Sequence, residues 1–280
     1  MAELGWTDYV LPSRGVLYED RLPGGKVQIR PMTAKQQALL VTQGGGNLGK
    51  IDALIDTCCR LPDGIKHKEL LLTDRFSVLL ALRTKTFGST YTFRWRCRCG
   101  LWQNATIDIV KELDEKAGSA ETREPVEVEL PDAKCVVHMR FLRGTDEEVV
   151  ARNAKRIAMA SNDNTDPSYL QRLAIQLVSK DGEEFKNPLE RNRFIEGLTA
   201  GDLVLLEDAV SEAETGIDTR LYLDCNTCGE TNQIGMPFTA EFFRPRSTGR
   251  GPRDDRDEPV LPGVSRQRLH PKRRGSDDAG

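Results

Sequence analysis

Seven cysteines punctuate this 280-residue chain, and four of them stand in two short pairs, Cys97-Arg-Cys99-Gly100 and Cys225-Asn-Thr-Cys228-Gly229. Thiolates are soft ligands; Cys225 to Gly229 reads as a knuckle whose turn, with glycine permitting a tight backbone, brings two sulfurs within reach of one ion, and Cys97 and Cys99 leave a strand edge together. The two pairs together supply a tetrahedral four-thiolate shell, which suits a structural Zn2+ without a redox role. The expected ligands are therefore Cys97, Cys99, Cys225 and Cys228. The first pair is one residue shorter than the common Cys-x-x-Cys spacing, and four reduced thiols holding no ion are the rival reading. A catalytic zinc would keep an open position and use histidine or carboxylate ligands. Cys58, Cys59 and Cys135 fall among apolar neighbours and read as buried free thiols.

These pairs need hairpins to carry them. Side chains alternate along Thr92 to Cys99, so Phe93, Trp95, Cys97 and Cys99 are expected on one face and Arg94, Arg96 and Arg98 on the other. There the arginines would offset part of the charge of about −2 that a four-thiolate zinc site bears. Upstream of each pair the same order of elements recurs weakly. Leu22-Pro-Gly-Gly-Lys26-Val-Gln-Ile-Arg30 is echoed by Leu130-Pro-Asp-Ala-Lys134 and the strand to Arg140. Thr33 and Thr145 then read as caps of a first helix. A second helix is expected over residues 51–60 and 168–179, from apolar residues at helical spacing. Leu72 to Leu80 aligns with Leu198 to Leu206, with Thr73 and Thr199 as caps, and each of these helices leads to a cysteine hairpin. The expectation is an α+β protein of two pseudo-repeated halves joined by a zinc-ribbon-like site. The divisions are an extended N-terminal arm over 1–20, a first half over 21–115, a linker over 116–129, a second half over 130–243 and a charged, Pro/Gly/Arg-rich tail over 244–280.

Composition narrows the function classes. A hydrophobic share of 38% against 30% charged residues is polar for a globular chain, and the tail accounts for the difference. Forty basic against 43 acidic residues leave a net charge of −3, which provides no global attraction to nucleic acid or anionic membrane. No stretch approaches the ~20 apolar residues of a membrane span, and no basic, then apolar N-terminal leader is seen. A soluble, unsecreted protein in a reducing compartment is expected, where cysteine pairs favour metal over disulfides. Gly44-Gly-Gly-Asn-Leu-Gly-Lys50 matches part of a phosphate-binding loop, but Ile51 replaces the required Ser or Thr and a helix precedes it. His67, His138 and His270 are scattered, and no catalytic constellation emerges, so neither an enzyme nor a small-molecule substrate is expected.

Leu11-Pro-Ser-Arg-Gly15-Val-Leu-Tyr18, Val27-Gln-Ile-Arg-Pro-Met-Thr33, the Leu72 to Gly88 segment, the Cys97 and Cys99 hairpin and the Cys225 to Cys228 knuckle together resemble the T-even-type bacteriophage baseplate hub and hub-assembly proteins. The resemblance covers residues 8–243. It implies a component of a contractile tail, of a phage or a related injection system, located in the virion tail baseplate and in the host cytoplasm during assembly. Its partners would be other baseplate hub, wedge or tail-tube proteins. Apolar anchors for docking are expected in the two arms, at Trp6, Tyr9 and Leu11 and at Val260 and Leu261. The alternative is a zinc-ribbon nucleic-acid-binding or transcription-associated factor using Arg94, Arg96, Arg98, Trp95 and Trp102; the overall acidity weighs against it.

Overall fold

A computed structural model describes residues 5–41, 47–160, 167–238 and 240–243. The tail, with Val260, Leu261 and His270, lies outside the described residues. The fold is α+β, with helices interleaved among small antiparallel sheets.

The chain opens with β1 (Thr7–Val10) and β2 (Lys26–Ile29), an antiparallel pair in which Val27 and Ile29 point into the core while Lys26 and Gln28 face out. Helices α1 (Ala34–Val41) and α2 (Asn47–Cys58) follow, and β3 (Cys59–Arg60) returns antiparallel to β2. The Arg30 amide donates to the Cys58 carbonyl at 3.0 Å, closing this return. Next comes α3 (Leu72–Phe87), which buries Val78, Leu79, Leu80 and Leu82 and leads through Gly88, at φ 85°, into the hairpin β4 (Thr90–Arg96) and β5 (Trp102–Asp108). A turn of helix, α4 (Ile109–Glu112), and the short β6 (Asp114–Lys116) end this stretch.

The second stretch begins with β7 (Val126–Leu130) paired with β8 (Cys135–Met139). Helices α5 (Gly144–Ala160) and α6 (Pro167–Gln176) follow, and β9 (Leu177–Lys180) returns antiparallel to β8, with the Arg140 amide donating to the Gln176 carbonyl at 2.8 Å. The edge strand β10 (Glu183–Glu184), α7 (Pro188–Glu196) and α8 (Ala200–Ala213) lead to β11 (Gly216–Asp218) and to the hairpin β12 (Arg220–Asp224) and β13 (Thr231–Gly235). Strand β11 pairs with β6, so backbone hydrogen bonds tie the two stretches together below the hairpins. One apolar cluster runs through both, from Leu11 and Tyr18 through α3 to Leu206, Leu221 and Phe242.

Several expectations change. The helices expected over 51–60 and 168–179 stop at Cys58 and Gln176, because the next residues are captured as strands by β2 and β8. Their apolar side chains suit either element, and sheet pairing decides. Thr199 caps α8, accepting from the Asp202 amide, whereas α3 starts after Leu71 with no side-chain cap and the Thr73 hydroxyl is buried without a partner. Thr145 lies inside the first turn of α5, where Asp146 takes the Arg143 amide instead. The N-terminal segment is not an extended arm: residues 7–10 form β1, and Leu11 and Tyr18 are fully buried. The linker is also held in place, since the Gly118 amide donates to the Pro12 carbonyl at 2.7 Å and a Cβ at Gly118 would lie 2.2 Å from the Ser13 carbonyl.

Buried aspartates at the starts of α3 and α8 organise the two sheet-forming hairpins. Asp74 accepts from the Ser13 amide (3.1 Å) and the Tyr18 hydroxyl (2.7 Å), and that hydroxyl in turn accepts from the Leu71 amide. Asp202 accepts from the Asp132 and Ala133 amides (3.3 and 2.8 Å) in the β7–β8 turn. Each carboxylate thus satisfies amides of the connection between the first two strands of its own stretch.

Candidate metal centre

Strand β4 buries Tyr91, Phe93 and Trp95 on its inner face, and the chain delivers Cys97 to the same side. The alternation then stops. The strand ends at Arg96 because the Cys97 amide donates to the Leu101 carbonyl (2.9 Å) and the Gly100 amide to the Cys97 carbonyl (2.9 Å), so Cys99 comes into place by a turn and not as the next inward strand residue. The second hairpin builds the same turn with one residue more: the Cys225 amide donates to the Glu230 carbonyl (3.0 Å) and the Gly229 amide to the Cys225 carbonyl (2.8 Å). Gly100 and Gly229 both adopt positive φ, 90° and 74°, where an L side chain would be strained.

All four sulfurs lie within 4.8 Å of one another. Cys97 Sγ is 3.6 Å from Cys228 Sγ, and Cys99 Sγ is 3.9 Å from Cys225 Sγ. Both distances far exceed the ~2.05 Å of a disulfide. They bracket the ~3.8 Å edge of a regular tetrahedron whose centre is ~2.3 Å from each sulfur, so the donor set fits zinc. The surroundings prepare sulfur for negative charge: the Cys99 amide and the Asn232 side-chain nitrogen donate to Cys97 Sγ (3.4 Å each), and the Thr227 amide to Cys225 Sγ (3.4 Å). Amides of Leu101 and Glu230 serve Cys99 and Cys228 in the same way, so each sulfur receives the N–H of the residue two places on.

The Cys228 and Thr227 amides bring the Cys225 thiol down to about 6. Cys228 goes the other way, to about 12: the Glu230 amide favours its thiolate, but desolvation, and then the sulfurs of Cys225, Cys97 and Cys99, push it up. Four thiolates so close together need a cation between them. Arg94 and Arg96 are engaged elsewhere. Arg94 lies over the Trp102 ring at 4.9 Å, and Arg96 Nε donates to the Gly100 carbonyl at 3.1 Å.

The other expected residues are placed differently. Trp6 is half-buried between the guanidinium groups of Arg60 and Arg30, 4.0 and 5.2 Å from its ring centre. Tyr9 donates its hydroxyl to the Ser77 carbonyl at 3.3 Å, and Leu11 is 0% exposed. The structure therefore turns Tyr9 and Leu11 inward, which corrects their reading as docking anchors: β1 forms the sheet edge, and its loop inserts into the core. Trp95 is 5% exposed and closed to any base, while Trp102, at 54%, is open. Cys58, Cys59 and Cys135 are buried free thiols. Gly49 and Lys50 belong to the first turn of α2, and residues 42–46 lie outside the described residues.

One arrangement escaped the sequence because it arises from strand register. Glu127, His138 and Ser179 form a row across β7, β8 and β9, with Ser179 Oγ 3.0 Å from His138 Nδ1 and His138 Nε2 3.5 Å from Glu127. The serine is buried and the glutamate side chain 73% exposed, the reverse of the accessible nucleophile and buried acid that acyl transfer requires.

Fold and site together define an α+β protein whose two hairpins place four cysteines where a single metal ion could be held. Comparison with known proteins identifies the lineage. The family model described as T4 bacteriophage base plate protein matches residues 15–244, and the chain belongs to that family. Neither the curated proteins nor the solved structures returned a match. The protein is thus a bacteriophage baseplate protein with a structural role.

Proposed function

We propose that the protein is a non-enzymatic component or assembly factor of a contractile-tail baseplate hub, built from two pseudo-repeated halves with one structural zinc shared between their hairpins. The observation that carries the baseplate role is the family match across residues 15–244. Docking to neighbouring hub, wedge or tail-tube chains is its mode of action. The duplication reading draws support from connectivity: in both stretches a strand pair is followed by two helices, a return strand on the second strand, a helix started beside a buried aspartate, and a cysteine hairpin. Zinc is supported by the sulfur spacing and by the amide directed at each sulfur. When bound, the ion supplies positive charge and a closed tetrahedral bond set and does no chemistry.

The test is affinity isolation of the tagged full chain from producing cells, with co-purifying chains identified by mass spectrometry and metal measured on the same sample. Baseplate chains together with about one zinc per protomer, the stoichiometry of a closed four-ligand site, are expected. Transcription proteins or nucleic acid in their place would refute the baseplate hub role. A cobalt-substituted sample whose spectrum lacked four-thiolate features would refute the shared site.

A further inference from the structure

Five partly or fully buried arginines elsewhere in the protein are matched by acids, while the buried Arg83 donates to the Gly88, Thr90 and Phe242 carbonyls and Arg30 to the Thr57 carbonyl. Arg75 pairs with Asp52, Arg140 with Asp146, Arg143 with Glu124, Arg172 with Glu147 and Arg220 with Asp218. The β4–β5 hairpin is where three arginines without an acid stand together. Its outward face carries Arg94 and Arg96 opposite Asn104 and Trp102, with Arg98 and Leu101 exposed at the tip. Among the described residues no carboxylate lies within 4.0 Å of any of these three guanidinium groups. They are not spent on the metal centre either, whose sulfurs take backbone amides and Asn232.

We propose that this face binds an acidic, extended segment of a neighbouring baseplate chain, a reading that rests on the baseplate role proposed above. Arg94 and Arg96 are two residues apart on one strand face, a repeat of ~6.6–6.8 Å, which is also the repeat of alternate side chains in an extended peptide. Asp or Glu at alternate positions of such a segment therefore meets both arginines in register. The Trp102 ring, held by Arg94, offers 54% of its surface to an apolar residue beside the acids, and Leu101 at 49% extends that surface. Nucleic acid is the weaker occupant. The chain is net negative, and Trp95, which would be the second stacking ring, is closed off.

The experiment places a photoreactive benzoylphenylalanine at Asn104 of the full chain, on the same exposed face, in cells that assemble baseplates, and sequences the cross-linked peptide. The expected product joins position 104 to another baseplate chain at a segment with at least two alternating Asp or Glu residues. Arg94→Gln with Arg96→Gln, which leaves Arg98 between the ligands untouched, should cut its yield tenfold or more with the melting temperature and metal content unchanged. Cross-links to nucleic acid, to a second copy, to this chain's own residues 244–280 or to a neutral or basic segment would overturn the proposal. So would their absence while the chain is present in baseplates, an outcome that leaves the baseplate role standing. Absence of the chain from baseplates and their assembly intermediates would remove the role itself, and the docking face with it.

Discussion

Removing the metal with a chelator should open the two knuckles and leave the body folded. Apart from the proposed ion and the four sulfurs it would bridge, three hydrogen bonds join the hairpin tips among the described residues: Arg98 amide to Asn232 Oδ1, Gln103 Nε2 to Thr227 Oγ1, and Asn232 Nδ2 to Cys97 Sγ. At ~0.5–1.5 kcal/mol each they contribute about 1.5–4.5 kcal/mol. At 1.4 kcal/mol per factor of ten, that protects the tip amides from exchange by roughly 10- to 2,000-fold and no more. A structural zinc contributes ~10–16 kcal/mol in small domains, so with metal bound the same amides should be limited only by global unfolding. The body has its own connections, because β6 pairs with β11 and the apolar cluster runs through both stretches. Hydrogen exchange read by mass spectrometry should therefore show peptides over Cys97–Leu101 and Cys225–Glu230 speeding up by about a hundredfold or more after chelation. Peptides over β8 and β9 should change little. Loss of protection in one knuckle alone would refute a shared ion. Equal loss in β8 and β9 would show that the metal holds the whole body together, against the argument from β6, β11 and the common core.

Three further outcomes are expected. Asp74→Ala should cost about 2–5 kcal/mol in urea unfolding, because it leaves the buried Ser13 amide and Tyr18 hydroxyl without an acceptor; a loss below 1 kcal/mol would refute that role. Burial, then the neighbouring Asp74 charge, raises the Glu214 carboxyl to about 8, so the folded chain holds a proton there that the unfolded chain releases near pH 4.5. Stability should accordingly fall as pH rises through that window, by up to about 1.4 kcal/mol per unit, and Glu214→Gln should flatten the slope in denaturation curves taken at pH 5 and pH 8; an unchanged slope would refute it. Thr199→Ala should lose about 1 kcal/mol with the α8 cap, while Thr73→Val, which removes a hydroxyl lacking any partner, should change stability by less than about 0.5 kcal/mol; equal losses in thermal melts would contradict the difference between the two helix starts.

The clustering of the four cysteines was legible because each pair leaves a local signature: two cysteines close together and a glycine where φ becomes positive. The return strands were not. Cys59–Arg60 and Leu177–Lys180 follow directly on helices, and their apolar residues satisfy a helical period equally well, so only pairing with β2 and β8 distinguishes the readings. Thr73 and Thr199 look alike in sequence, yet Thr199 reaches an amide and Thr73 faces inward, a difference set by packing around α3. Tyr9 and Leu11 resembled the anchors of an exposed arm because nothing near them in sequence reveals that Asp74, more than sixty residues away, holds the Ser13 amide and draws that loop into the core.

The proposed metal also bears on how the proposed docking would gain affinity. Cys97–Leu101 and Cys225–Glu230 comprise about eleven residues whose backbone must be ordered for the hairpin tips to keep their shape, at ~1–2 kcal/mol each. Left to binding, that cost of roughly 10–20 kcal/mol would consume most of the free energy of any realistic interface. A structural zinc contributes an amount of the same order before a partner arrives. With β6 and β11 fixing the base and the proposed ion fixing the tips, Arg94, Arg96 and Trp102 would be presented on a hairpin already in its final conformation. On that reading the metal raises affinity without touching the partner, and chelation should weaken docking mainly through faster dissociation, because the contacts persist while the scaffold that aligns them loosens.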